Sequence, residues 1–215
     1  MATSVVVQLC TLLLLQTFPY IFGADLCLNY MNISVSDASS SADSSSCLKG
    51  TFACKTLEYA LSNVTNCTYV SISCSGPLTV NAPINVANVY GLILEAGVTN
   101  QMVQCSKGAG LRFQAVRDIQ IVGLYWYQCS IRHPTFSSYG GGEGSSAIVF
   151  IESMDLSIER NTFTSSYGTG LSMYNVGGTV TIQNCSFVNN TVTGCVGSSC
   201  NVQSRGLHIQ FGCVN

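Results

Sequence analysis

Charge is scarce in this chain: 8 Lys and Arg stand against 10 Asp and Glu in 215 residues, for a net charge of −2. Nothing in that balance steers the protein towards nucleic acid or an anionic membrane surface. Histidine occurs only twice, and no paired C-x-x-C spacing is present, so the usual zinc arrangements are missing. Sustained helical periodicity is missing as well, which excludes the helical repeat architectures. Solubility must rest on hydroxyls, amides and attached sugars.

What is abundant points outside the cell. Residues 1–23 form an apolar block with Pro19 and a small pair, Gly23-Ala24, at its end. That is the pattern of a secretory signal peptide; an uncleaved membrane anchor is the alternative, since the block carries no Lys or Arg. Five glycosylation sequons follow, at Asn32, Asn63, Asn66, Asn184 and Asn189. With Cys10 inside the signal, eleven of the 12 cysteines remain, an odd number in an oxidising compartment. Cys47, Cys54, Cys67, Cys74, Cys195 and Cys200 are the disulfide candidates, the last two closing a local loop. The expected localisation is secreted or extracellular, with a membrane-anchored cell-surface form as the alternative.

Residues 24–46, ending in "SVSDASSSADSSS", read as a Ser-rich linker. Residues 47–68 read as a disulfide-bearing cap. Within it, Leu57, Ala60 and Leu61 fall at helical spacing behind Thr56, which predicts a short helix over 55–63.

Residues 69–215 are strand and turn, and they repeat. Ile119, Leu156 and Val180 each precede an aromatic residue (Trp126, Phe163 and Phe187) by seven positions. Leu111 and Ile148 lie eight residues before Ile119 and Leu156; Leu171 lies nine before Val180, and Leu207 opens a fourth copy. The unit is about 24 residues, lengthened in two copies by an insertion at the same loop, which is how solenoids vary. Short strands without helices predict a parallel β-helix with core ladders Leu111/Ile148/Leu171/Leu207, Ile119/Leu156/Val180, Ile121/Ile158/Ile182 and Trp126/Phe163/Phe187. An all-β sandwich is the alternative. The last copy stops short of completion, so the chain reads as truncated at its C-terminus.

The coil "VTIQNCSFVNNT", preceded by "GLSM", resembles right-handed parallel β-helix proteins of the pectin-lyase-like superfamily. Within it, the pattern is most similar to the repeats of polymorphic outer-membrane proteins and related secreted proteins. "CKTLEYAL" looks like the short helix that caps such β-helices at the N-terminal end. The resemblance implies an all-β, right-handed parallel β-helix solenoid with a short N-terminal capping helix, and it says little about activity.

Few residues could carry chemistry. Asp118 and Asp155 stand just before equivalent strands, where two carboxylates one strand apart could bind calcium or act as acid and base. The plainer expectation is that each closes a turn, with Thr179 as the third copy's equivalent. Gly108-Ala109-Gly110 lacks the histidine of a polygalacturonase-type loop, and Arg132-His133-Pro134 is only an echo of the lyase arginine cluster. His133 and His208 do not suggest a triad. "GGGEGSS" (140–146) lacks the lysine of a phosphate loop and reads as a mobile linker within the first insertion. Tyr125 and Tyr127 flank the core-directed Trp126 and should face outward, where they could stack on a sugar or a protein. No cofactor is implied. The expectation is a non-catalytic adhesion, recognition or matrix-type protein whose partner is an extracellular protein or glycan. A carbohydrate-active enzyme, a lyase or hydrolase of acidic polysaccharide using Asp118 and Asp155, is the alternative.

Overall fold

A computed structural model of the chain describes residues 29–64, 68–135, 142–190 and 207–210. Residues 1–28, which include the expected signal peptide, and Asn66, Cys67, Cys195, Cys200 and the second insertion lie outside the described residues.

The molecule is all-β, built on three mostly parallel sheets. The first orders β1 (Asn29–Ser36), β2 (Thr68–Ser75), β5 (Tyr90–Ala96), β8 (Arg117–Val122), β12 (Met154–Glu159) and β15 (Gly177–Gln183). The second orders β3 (Leu78–Val80), β6 (Gln101–Cys105), β9 (Leu124–Tyr127), β13 (Thr162–Thr164) and β16 (Ser186–Val188). The third orders β4 (Ile84–Ala87), β7 (Leu111–Gln114), β11 (Gly142–Ile151), β14 (Thr169–Tyr174) and β17 (Leu207–Gln210). From β2 onward the chain visits the sheets in turn, and each repeat adds one strand to each sheet. β10 (Ile131–Thr135) alone runs antiparallel, against β11. Parallel pairing everywhere else in the three sheets removes the sandwich alternative, whose sheets are antiparallel.

All four expected ladders are present in register: Leu111, Ile148, Leu171 and Leu207 pair in sequence, as do Ile119, Leu156 and Val180, then Ile121, Ile158 and Ile182, and Trp126, Phe163 and Phe187. The first sheet extends its ladder further, from Ile33 through Ile72 and Leu94 to Ile121. Alternation explains the burial: successive side chains point to opposite faces, and the ladder residues face inward, buried in the central repeats, whereas Val180, Ile182 and Phe187 are half-buried and Leu207 is exposed. Fully burying one such side chain stabilises the fold by about 1.5–3 kcal/mol. Phe113 stacks on Phe150 at 4.8 Å and Phe163 on Phe187 at 5.1 Å between ring centroids, so identical shapes pack above one another.

The corners are as regular as the strands. Asn88, Ala115, Glu152 and Asn175 all adopt left-handed backbone between the third and first sheets. Gly123, Arg160 and Asn184 do so between the first and second, and Gln128, Ser165 and Asn189 between the second and third. The corner N–H donates to a carbonyl one repeat on: Ala115 to Ile151 at 3.0 Å, Arg160 to Gln183 at 2.9 Å, Ser165 to Val188 at 3.1 Å. Asparagine tolerates this conformation best among non-glycine residues, which accounts for its frequency there.

Three expectations need correction. Asn29–Ser36 is a strand paired with β2 rather than linker, because Ile33 and Val35 alternate with polar residues and are fully buried. Asp43, further along the same segment, accepts the Lys55 and Thr56 N–H groups at 2.9 Å each and anchors the start of α1 (Leu57–Ser62). Gly142–Ser146, read as part of a mobile linker, belongs to β11 and pairs with β10. Cys74 is not in a disulfide: its inward position in β2 buries it completely, and it fills space as a small apolar side chain. Cys47 and Cys54 do pair, and Cys105 pairs with Cys129, a bridge the sequence reading missed.

Helix α1 lays Leu57, Ala60 and Leu61 against β4, β3 and β1. Thr56 caps it, accepting the Tyr59 N–H at 3.2 Å. Among the described residues no helix is long and apolar enough to cross a membrane.

Candidate functional site

Asp118 and Asp155 occupy adjacent strands just before paired residues Ile119 and Leu156. Both have left-handed backbone, with φ of 57° and 54°. The matching positions in the neighbouring repeats are Gly91 (φ 78°) and Gly178 (φ 68°). The column is thus Gly, Asp, Asp, Gly, and what its members share is the conformation, not the carboxylate. Thr179 is not the third equivalent, because β15 carries one extra residue between the partners of Met154 and Leu156.

The Asp155 carboxylate is engaged on both oxygens. One accepts the Arg117 guanidinium at 3.0 Å, the other the Thr179 N–H at 3.0 Å. The group closes the extra-residue bend in β15 as an Asx-type acceptor. Among the described residues no cluster of three or more His, Cys, Asp or Glu could hold a metal ion.

Arg117 belongs to a row that sequence reasoning did not find. Tyr69 and Tyr90 meet edge to face at 5.5 Å, and the Arg117 guanidinium lies 5.7 Å from the Tyr90 ring centroid. The Tyr69 phenol is pushed up to about 12, first by its hydrogen bond with the Tyr90 side chain. Tyr69, Tyr90, Arg117 and Asp155 contact one another in sequence across the starts of four adjacent strands of the first sheet. The usable sequence signal was their common offset, one or two residues before each strand's core pair.

Tyr125 and Tyr127 alternate with buried Leu124 and Trp126 in β9 and are half-buried on the outer face. They stand beside Thr162 and Thr164 of β13, and beside Met102 and Gln104 of β6. The structure brings the two tyrosines into one sheet but leaves the two aspartates on another. Of the sequons, Asn32, Asn184 and Asn189 are exposed. The Asn63 amide donates to the Tyr59 carbonyl at 2.8 Å and helps to terminate α1.

Comparison with protein-family models, with curated proteins and with solved structures finds no match.

Proposed function

We propose that this chain is a secreted or cell-surface right-handed parallel β-helix with an N-terminal capping helix, acting as a non-catalytic recognition or matrix-type protein. Three sheets visited in turn from β2 onward support the winding, and right-handedness is the strong default for parallel crossovers. The pectin-lyase-like resemblance of the coil sequence points the same way. The single observation that carries the non-catalytic reading is the Gly91, Asp118, Asp155, Gly178 column. The only carboxylate pair the sequence offers for acid–base work sits where the backbone demands a left-handed residue. Disulfides Cys47–Cys54 and Cys105–Cys129 support an extracellular setting. The partner is an extracellular protein or glycan.

Two experiments test this. Purified protein incubated with uronic-acid polymers should release neither unsaturated nor reducing ends; turnover abolished by Asp155→Asn would overturn the reading. Deleting 136–141, the sequence between β10 and β11, or 192–205, the second insertion of the sequence, should remove binding to cells or immobilised glycans.

A further inference from the structure

A cavity of about 320 Å³ opens where the second sheet turns towards the third. Thr79 from β3, Gln104 and Cys105 at the end of β6, Ser106 and Lys107 in the following turn, Gln128 at its left-handed corner and Tyr167 beyond β13 line it. The wall is held from several sides. Cys105 is bonded to Cys129, and the turn carrying Lys107 is closed by the Ala109 N–H donating to Ser106 O at 2.9 Å. The Tyr167 carbonyl accepts the Ser130 hydroxyl at 3.0 Å, so its ring, 48% exposed as a residue, is presented on a fixed backbone.

The lining chemistry is one ammonium, two carboxamides, the hydroxyls of Thr79 and Ser106 and a phenol ring, with no carboxylate; the Ser106 hydroxyl donates to the Asn81 side-chain oxygen at 2.9 Å. Lys107 has no ion-pair partner among the described residues. A site of this kind selects a polar ligand with one negative charge and an apolar ring face. The volume is at the low end of small-ligand sites, about 300–1,000 Å³, and suits one sugar unit. An acidic polymer would need cations repeated along the stack. The outward residues of the second sheet beside the cavity are Thr79, Met102, Gln104, Tyr125, Tyr127 and Thr162, none of them charged.

We infer that this cavity binds the terminal acidic sugar of a glycan. Lys107 meets the carboxylate, Gln104 and Gln128 meet hydroxyl or acetamido groups, and Tyr167 covers the apolar face of the ring. The inference rests on the recognition reading and names its ligand class.

Calorimetric titration of the full chain with 3′-sialyllactose, lactose and trigalacturonate tests it. Sialyllactose should bind at least about tenfold more tightly than either competitor, as expected for one added charge-assisted hydrogen bond. Lys107→Ala should remove that advantage while leaving lactose unchanged, Lys107→Arg should retain it, and Tyr167→Ala should weaken sialyllactose and lactose alike. Both side chains are exposed, and unchanged melting temperatures and near-ultraviolet circular dichroism confirm that each variant is folded. Sialyllactose affinity equal in wild type, Lys107→Ala and Tyr167→Ala would overturn the assignment, as would tighter binding of trigalacturonate. The loop deletions report separately: if they abolish cell binding while no sugar binds the wild type, the cavity assignment falls and the recognition reading stands.

Discussion

Asn161 has no exposed surface, and its side chain is used completely. Its carbonyl oxygen accepts the Leu124 N–H at 3.2 Å and the Trp126 indole N–H at 3.3 Å, while its amide donates to the Ile121 and Glu159 carbonyls at 2.7 and 2.9 Å. In the next repeat Cys185 stands at this position, its single S–H within reach of the corresponding carbonyls of Ile158 and Gln183 at 3.3 and 3.4 Å. Asn161→Ala strands buried donors and acceptors together and should cost roughly 3 kcal/mol or more. A lower urea midpoint with an unchanged slope would show it. Asp118 behaves oppositely. Replacing it by Gly relieves a left-handed backbone strain of about 1 kcal/mol and incurs a comparable entropic cost, so stability should stay within about 0.5 kcal/mol. Gly178→Ala, by contrast, places a Cβ 2.2 Å from an Asp155 carboxylate oxygen and must destabilise. Matched melting curves for the three proteins check both statements; a large loss in Asp118→Gly would mean that the carboxylate itself matters.

Strands and bridges set the next scale. Cys105–Cys129 closes 24 residues and Cys47–Cys54 closes 7. Loop-closure entropy makes the longer bridge worth about 3.4 kcal/mol and the shorter about 2.4. Paired Cys→Ser variants should lose stability in that order on chemical denaturation. The free thiol of Cys74 adds a pH dependence. Burial pushes it from 9.0 up to about 12, with Glu95 a smaller cause. Below pH 9 both folded and unfolded chains keep the proton and the stability is fully present. Between about 9 and 12 only the unfolded chain releases it, so stability falls with rising pH by about 1.4 kcal/mol per unit. Cys74→Ala should start lower yet lose that slope. Core ladders were legible in the sequence because inward positions recur at fixed offsets from Leu111, Ile119 and Trp126. The extra residue of β15 was legible too: Leu171 lies nine residues before Val180 where the other copies have eight. β1 was hidden because serine composition masked the alternation of Ile33 and Val35. The Cys105–Cys129 bridge was missed although its 24-residue separation equals the repeat, since pairing depends on which strands stack. The cavity at Lys107 and Tyr167 could not be read at all: its lining residues lie outside the recurring core offsets and share no motif among themselves.

At the scale of the whole molecule, each repeat touches chiefly its neighbours, so stability should grade along the stack instead of being shared evenly. β14 is buried along its whole length, whereas β15 is half-buried to exposed and is the last strand of its sheet among the described residues. β16 likewise ends the second sheet, with Val188 43% exposed. Amides in β8, β9, β12 and β14 should exchange slowest with deuterium, and those in β15 and β16 fastest. The Trp126/Phe163/Phe187 ladder turns this gradient into a mutational comparison. Phe163 is fully buried and stacks on both neighbours, whereas Phe187 is half-buried and stacks on one. Phe163→Ala should therefore cost about 4 kcal/mol and speed exchange throughout the central repeats. Phe187→Ala should cost less than half as much, with faster exchange confined to β15, β16 and the adjoining corner. Equal losses, or exchange raised uniformly by either substitution, would mean that the repeats unfold as one unit and that the graded stack is wrong.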